Sequence, residues 1–165
     1  MAFPLRDATD ADLPHIVRLV RGLAEYERLA HRMTATEADF RRIMFGPKPL
    51  AHAVLAEEAG EPIGIALWFW IVSTFAAKPG IYLEDLFVEP SHRGMGVGLA
   101  LLRRLANIAR QNDCIALEWN VLNWNQPAID FYERIGARPV KDWTVYRMAP
   151  EAIAALANTQ DRTYG

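Results

Sequence analysis

A glycine-rich segment between a predicted strand and a predicted helix constrains the fold of this chain more than any other feature. The apolar run Ile81–Val88 ends at Pro90, and an amphipathic helix is predicted over Met95–Asn112. Three glycines stand at alternate positions between them: Gly94, Gly96 and Gly98. Glycines leave backbone N–H groups open at a helix N-terminus, where the helix dipole favours an anion. The order strand, loop, helix therefore predicts an α/β domain with a phosphate or pyrophosphate site at the loop.

Three kinds of phosphate loop differ in the residues that surround their glycines. A Walker loop ends in Gly-Lys-Ser/Thr, whereas Gly98 is followed by Leu99 and Ala100. A dinucleotide fingerprint is G-x-G-x-x-G after the first strand of a βαβ unit, whereas this G-x-G-x-G lies in mid-chain. The third pattern, R-x-x-G-x-G, is met by Arg93 and the last two glycines. A glycine-rich turn that binds no ligand is the alternative interpretation.

The rest of the pattern predicts one domain over residues 1–165, with a mixed sheet and helices on both faces. Helices are predicted over Asp10–Arg28, Glu37–Phe45, Met95–Asn112, Gln126–Ile135 and Pro150–Ala157. Strands are predicted over Phe3–Asp7, Ala51–Glu57, Pro62–Ser73, Ile81–Val88, Cys114–Val121 and Val140–Met148. We expect the tail after about residue 159 to be loosely ordered.

The composition excludes several classes of protein. Eighteen basic and twenty acidic residues give a net charge of −2, which argues against binding of nucleic acid or anionic lipid by bulk charge. The single cysteine, Cys114, excludes an intrachain disulfide and a Cys-rich zinc site, and the four histidines lack metal-ligand spacing. The longest apolar stretch, Ile63–Val72, is far shorter than the ~20 residues of a membrane helix. Since no signal peptide is visible at Met1–Arg6, we expect a cytoplasmic location.

The glycine loop and two further segments together resemble a known family. R-x-x-G-x-G/A after a strand resembles the pantetheine-pyrophosphate loop of the GNAT superfamily of acyl-CoA-dependent N-acetyltransferases. Residues 82–88 read YLEDLFV and residues 124–132 read WNQPAIDFY, and both are similar to the diamine (spermidine/spermine) and thialysine acetyltransferase branch. The likeness runs from Leu5–Thr9 to Trp143. It implies a GNAT fold with a mixed, mostly antiparallel sheet, acetyl-CoA as co-substrate, no metal, a small-molecule amine as acceptor and a homodimer.

The resemblance also implies which residues hold acetyl-CoA. The strand at 86–88 would pair with the pantetheine arm, the loop at 93–99 would hold the pyrophosphate, and Asn125 would touch the arm as well as cap a helix. The implied coenzyme-binding residues are Leu86, Phe87, Val88, Arg93, Gly94, Met95, Gly96, Val97, Gly98, Leu99, Asn125 and Ala128.

An amine acceptor needs a base, because a lysine-like amine with a pKa of ~10.4 is protonated at neutral pH. In the mechanism that the resemblance implies, Glu84 takes this proton through a water, and Tyr132 protonates the departing thiolate. The implied substrate-binding residues are Tyr26, Glu27, Glu84, Asp85, Glu118, Trp119 and Asn120. A regular strand would present only one of Glu84 and Asp85 to the substrate, whereas a bulge would alter this.

Several alternatives stay open at this point. Glu84 and Asp85 could be a solvated pair at a strand end, Tyr132 an ordinary core residue, and Tyr26 with Glu27 a solvated helix end. The polyamine enzymes carry acidic and aromatic residues after Trp70, where this chain has IVSTF, so a shorter amine such as thialysine fits better than spermidine. A non-catalytic acyl-CoA-binding module and an enzyme that acetylates peptides or proteins are the competing functions.

Overall fold

The structure is a computed structural model that describes residues 3–159, in two compact units divided between Leu122 and Asn123. The predicted loose tail after residue 159 lies outside the described residues.

The first unit is built on a five-stranded sheet in the order β1-β2-β3-β4-β5. Its strands are β1 Leu5–Asp7, β2 His52–Glu58, β3 Glu61–Ser73, β4 Lys78–Val88 and β5 Leu117–Glu118. Every neighbouring pair is antiparallel except β4 and β5, which are parallel. The mixed, mostly antiparallel sheet that the sequence predicted is therefore confirmed.

Helices cover both faces of this sheet, as predicted. The helices are α1 Leu13–Tyr26, α2 Glu37–Phe45 and α3 Val97–Gln111. On one face, apolar residues of α1 and α2 form a single buried cluster with Leu55, Leu67 and Phe87 from the sheet. On the other face, Val97 and Leu101 of α3 approach Gly64 of β3 so closely that an added Cβ there would lie 3.2 and 3.4 Å from their side chains.

A buried ion pair fixes the start of α1. Asp12 is only 5% exposed, and its carboxylate accepts hydrogen bonds of 2.7 Å from both Nη1 and Nη2 of Arg6. The backbone N–H and the hydroxyl of Thr9 donate to the same carboxylate at 2.7 and 2.9 Å. This capping box of Thr9 and Asp12 holds residues 10–12 as a 3₁₀ turn ahead of the helix.

The second unit contains α4, Gln126–Arg134, and α5, Pro150–Ala157, both close to their predicted bounds. The predicted strand Val140–Met148 is wrong: residues 140–148 form neither strand nor helix. The apolar side chains that suggested a strand are largely exposed, with Val145 at 75% and Tyr146 at 92%. An alternating apolar pattern forms a strand only where a neighbouring strand pairs with it or a core buries its apolar side chains.

Candidate active site

The strand β4 contains a bulge at the carboxylate pair. Leu67 of β3 lies opposite Asp85, but the next residue of β3, Trp68, lies opposite Leu83, so Glu84 is an extra residue in β4. The regular alternation of side chains is broken at this point. Glu84 is exposed, whereas Asp85 is half-buried.

The bulge coincides with the point where β4 separates from β5. The two strands pair only at Ile81–Leu117 and Tyr82–Glu118. Beyond Tyr82, residues 83–88 of β4 have no strand neighbour on this edge of the described sheet. An edge of this kind offers backbone N–H and C=O groups to an extended ligand.

A group of three carboxyl side chains collects beside this open edge. Burial, the charge of Glu84 and the charge of Glu27 together raise the pKa of Asp85 to about 7. Burial also raises the pKa of Glu27, which follows the last residue of α1. Asp85 is therefore balanced between carboxylic acid and carboxylate at neutral pH, and an approaching cation favours its charged form.

Arg93 also lies at this end of α1. Its guanidinium stacks 4.5 Å from the centre of the Tyr26 ring and 5.5 Å from that of Phe87, and its Nε donates to the carbonyl of Val88 at 3.0 Å. The Phe87 side chain is only 7% exposed and lies beneath Gly22 of α1. Phe87 can therefore contribute to a ligand site through its backbone only, whereas the exposed Arg93 can contribute its charge.

The glycine loop presents an open surface at the start of α3. Gly94 and Gly96 have φ angles of +76° and +89°, and a Cβ added at either would meet no atom within 4 Å. These left-handed residues explain why α3 begins at Val97 and not at the predicted Met95. Gly98 has no such backbone need: it lies inside the helix, and its added Cβ would make an ordinary contact of 3.8 Å with Val88. The first N–H groups of α3 have no acceptor within the helix.

This loop and the open strand edge fit a coenzyme with a pyrophosphate and an extended arm. The fit rests on the open space above Gly94 and Gly96, the N-terminus of α3 and the charge of Arg93. Val97 is 1% exposed and can take part only through its N–H, while Met95 is 50% exposed.

In the second unit, α4 carries the two other residues that the sequence singled out. Asn125 is 6% exposed, and its Oδ1 accepts a hydrogen bond of 3.4 Å from the N–H of Ala128, so its predicted role as helix cap is confirmed. Tyr132 lies two turns further on, half-buried, with its ring 5.4 Å from that of Phe131. The proposed contacts of Asn125 and Tyr132 with the coenzyme stay predictions.

The remaining candidates lie on and after β5. Glu118 closes the strand and is exposed, Trp119 is half-buried and Asn120 is exposed. Cys114 is half-buried, and burial together with the charge of Asp113 raises the pKa of its thiol, which disfavours the nucleophilic thiolate. Among residues 3–159, no cluster of His, Cys, Asp or Glu is arranged to hold a metal ion. No helix in this range is long and apolar enough to span a membrane.

The structure adds one group that sequence reasoning missed. His92 immediately precedes Arg93, and its Nε2 lies 2.9 Å from Oε2 of Glu58 at the end of β2. Its Nδ1 lies 2.8 Å from the hydroxyl of Ser91, and Glu89 forms an ion pair with Arg18 of α1. These contacts tie the segment before the glycine loop to both β2 and α1. No spacing rule relates Glu58 to His92, which is 34 residues away.

A positive charge beside a helix N-terminus, an open strand edge and a carboxyl cluster together suit an enzyme that brings an anionic donor to a cationic acceptor, as N-acetyltransferases do. The chain belongs to the acetyltransferase (GNAT) family, whose sequence model matches residues 16–137. It is therefore an N-acetyltransferase.

Individual proteins are similar to nearly the whole of this chain. The chain is 36% identical to a thialysine N-epsilon-acetyltransferase from Bos taurus, over 95% of this chain and 99% of the relative. It is 32% identical to a human spermidine/spermine N(1)-acetyltransferase-like protein, over 94% of this chain and 24% of that protein. Among solved structures, an integron cassette protein from the mobile metagenome of V. cholerae superposes with a TM-score of 0.81 at 26% identity, over 96% of this chain and 99% of the other.

Proposed function

We propose that this enzyme transfers an acetyl group from acetyl-CoA to the primary amine of a small molecule, by direct attack in a ternary complex. The acceptor is a thialysine-like amino acid or a diamine. The observation that carries the proposal is the carboxyl cluster of Glu27, Glu84 and Asp85 beside the open edge of β4. The names of the relatives from cattle and human, which act on thialysine or resemble enzymes for spermidine and spermine, support it.

The residues that would hold acetyl-CoA come from β4, the glycine loop and the start of α3. Arg93 and the N–H groups of residues 94–99 would bind the pyrophosphate, because a positive charge and unpaired donors meet there. The backbone of Leu86, Phe87 and Val88 would pair with the pantetheine arm. When bound, acetyl-CoA supplies the acetyl group as a thioester, which a neutral amine attacks directly.

The carboxyl cluster would prepare the amine for this attack. Asp85 and Glu27 hold the ammonium form, and Glu84, which is exposed, takes one proton from the nitrogen through a water. The nitrogen then has a lone pair with which to form the new C–N bond. As the C–S bond breaks, the Tyr132 hydroxyl would donate a proton to the leaving sulfur. The nitrogen loses its second proton to solvent as it becomes an amide, and the Tyr132 phenol regains a proton from solvent.

The hairpin after Trp70 favours a short acceptor. Residues 71–75 read IVSTF and carry no negative charge, with Val72 72% exposed and Phe75 fully exposed. A long polycation would gain no ion pair along this hairpin, whereas the carboxyl cluster suffices for one terminal ammonium. We therefore place thialysine and similar ω-amino acids ahead of spermidine and spermine.

Release of coenzyme thiol from acetyl-CoA with a panel of amines tests the proposal. We expect turnover with thialysine, lysine or ornithine and short diamines above that with spermine. Tyr132→Phe is expected to lower kcat more than it raises the KM for acetyl-CoA. Binding of acetyl-CoA without transfer to any acceptor would instead indicate a non-catalytic module, and turnover confined to peptides would indicate a protein acetyltransferase.

We further propose that the enzyme is a cytoplasmic homodimer. The arm formed by β3 and β4 exposes Trp70 at 42%, together with Val72 and Phe75, which is a large apolar area for a free surface. Light scattering after gel filtration tests this assembly. A monomer at micromolar concentration would refute it, and Phe75→Glu is the variant expected to weaken a dimer.

A further inference from the structure

A cavity of about 290 Å³ lies at the β1 edge of the sheet, separate from the carboxyl cluster and the glycine loop. It exists because β1 ends at Asp7, while β2 and β3 continue past it and the ends of α2 and α3 stand on either side. None of the coenzyme-binding, substrate-binding or catalytic residues proposed above lines it. Its volume is at the lower end of the range for small-molecule sites.

One side of the cavity is apolar and aromatic. Met44 and Phe45 from the end of α2 and Ile108 of α3 contribute to its wall. The rings of His52 and Trp68, which lie directly opposite each other on β2 and β3, have their centres 4.7 Å apart and are tilted by 33°. Trp68 is 6% exposed, and its indole N–H has no hydrogen-bond partner among the described residues. This wall suits an apolar or aromatic group.

Two opposite charges also line the cavity. Nη2 of Arg104 lies 3.4 Å from Oδ1 of Asp7, and the two side chains are 40% and 71% exposed. This distance is long for a charge-assisted hydrogen bond, which is normally 2.7–2.9 Å. Both groups can therefore exchange this contact for a better one with a ligand, because an exposed and poorly aligned ion pair contributes little stability.

We propose that this cavity binds a free α-amino acid with an apolar or aromatic side chain. The α-carboxylate meets the Arg104 guanidinium and the α-ammonium meets the Asp7 carboxylate, because a zwitterion carries both charges on neighbouring atoms. The side chain lies against Met44, Phe45 and the Trp68 ring. A simple anion or cation would satisfy one of the two charges and leave the other unpaired.

Calorimetric titration of the full chain with L-phenylalanine, without acetyl-CoA, tests the site. We expect one molecule bound per chain. 3-Phenylpropanoate lacks only the ammonium, phenethylamine lacks only the carboxylate and L-alanine lacks the ring, so each is expected to bind at least about tenfold more weakly. Absence of binding by L-phenylalanine, or equal binding of phenethylamine, overturns the proposal.

Variants locate the binding. Arg104→Gln and Asp7→Asn are each expected to weaken binding of L-phenylalanine about tenfold or more. Arg103→Gln changes an exposed neighbour on the same helix and is expected to leave binding unchanged. Asp85→Asn must also leave it unchanged, since loss of binding there would place the amino acid at the carboxyl cluster and overturn the proposal. Circular dichroism checks that each variant folds.

Discussion

Asp85 is the residue whose protonation would most directly set the charge of the proposed acceptor site. Its pKa is raised to about 7 by burial, by Glu84 and by Glu27. Below this pH the side chain is neutral and can neither hold an ammonium group nor accept a proton. We therefore expect kcat/KM for the amine to rise as the pH rises through about 7. Asp85→Asn should remove this rise and lower kcat/KM at pH 8 by at least about tenfold.

A pH profile of initial rates between pH 5.5 and 8.5 measures this effect. Glu61→Gln is the matched control, because Glu61 is an exposed carboxylate at the start of β3 and its loss should leave the profile unchanged. An Asp85→Asn enzyme that kept the rise near pH 7 would show that another group controls it.

The same residue carries an opposite expectation for stability. A carboxyl whose pKa is higher in the folded than in the unfolded state favours folding while protonated, so its contribution declines as the pH rises from about 4 to 7. Asp85→Asn should therefore raise the free energy of unfolding at pH 8, on the order of 2 kcal/mol, and have little effect at pH 4. Urea denaturation at both pH values measures the difference. Lower stability of the variant at pH 8 would contradict the raised pKa.

At the scale of single elements, the glycine loop contains two different reasons for a glycine. One is a backbone conformation that other residues rarely adopt, and the other is room for a bound coenzyme. Gly96 has a φ of +89° and Gly98 lies within α3, yet a Cβ at either position meets no crowding from the protein. Gly96→Ala should lower the free energy of unfolding by about 1 kcal/mol through left-handed strain. Gly98→Ala should raise it slightly, because alanine favours a helix. If Gly98 is present to admit the coenzyme, Gly98→Ala nevertheless raises the KM for acetyl-CoA severalfold.

Thermal melts and acetyl-CoA saturation curves of the two variants decide this point. A Gly98→Ala enzyme with unchanged KM for acetyl-CoA would mean that no ligand atom approaches this position. Gly98 would then have no part in the proposed pyrophosphate site, while the backbone requirement for glycine at Gly96 would be unaffected.

The segment before the loop forms a 3₁₀ turn over Pro90–His92, and side chains tie this turn to its neighbours. The bond from His92 to Glu58 joins it to β2, and Glu89 joins it to Arg18 of α1. We expect Glu58→Gln to raise the KM for acetyl-CoA about threefold to tenfold with little change in kcat, since one charge-assisted bond is weakened. Glu57 is no control because it bonds to Arg6, so Glu61→Gln serves again. A fall in kcat alone would contradict a positioning role.

Most helices and strands of this chain could be predicted from the local sequence pattern. The exceptions have physical causes that lie outside the local sequence. The cap at Thr36 and the glycines at 94 and 96 set element ends by local chemistry, which is readable in sequence. The bulge at Glu84 depends on the pairing of β3 with β4, and sequence could state it only as a condition. The segment 140–148 has strand-like residues without a strand partner in the described structure, and β5 keeps two residues of the eight predicted.

At the scale of the whole molecule, the net charge of only −2 hides two groups of opposite charge. Arg93 and the N-terminus of α3 lie at the glycine loop, whereas Glu27, Glu84 and Asp85 gather at the end of α1 and the bulge of β4. The sequence indicated Arg93 with the glycines, and Glu84 with Asp85, because each set falls within one short motif, whereas Glu27 was indicated only through the resemblance. It did not indicate that Asp85 would be the more buried of the carboxylate pair, since burial depends on the register of β3 and on the packing of α1.

The stability of the whole fold should depend more on the Arg6–Asp12 pair than on any exposed ion pair. The bonds from Arg6 hold the pKa of the buried Asp12 carboxyl well below its usual range, so this group stabilises the fold above about pH 4 and loses that effect as the pH falls through its folded value. Arg6→Leu leaves the buried Asp12 carboxylate without its cation, also removes the bond from Arg6 to Glu57, and should cost about 3 kcal/mol of unfolding free energy at pH 7. The loss should shrink toward pH 3 as Asp12 becomes protonated. Arg41→Leu, which removes an exposed pair with Asp10, should cost less than about 1 kcal/mol. If urea denaturation showed equal losses of unfolding free energy for the two variants, the Arg6–Asp12 pair would contribute no more to stability than an exposed pair.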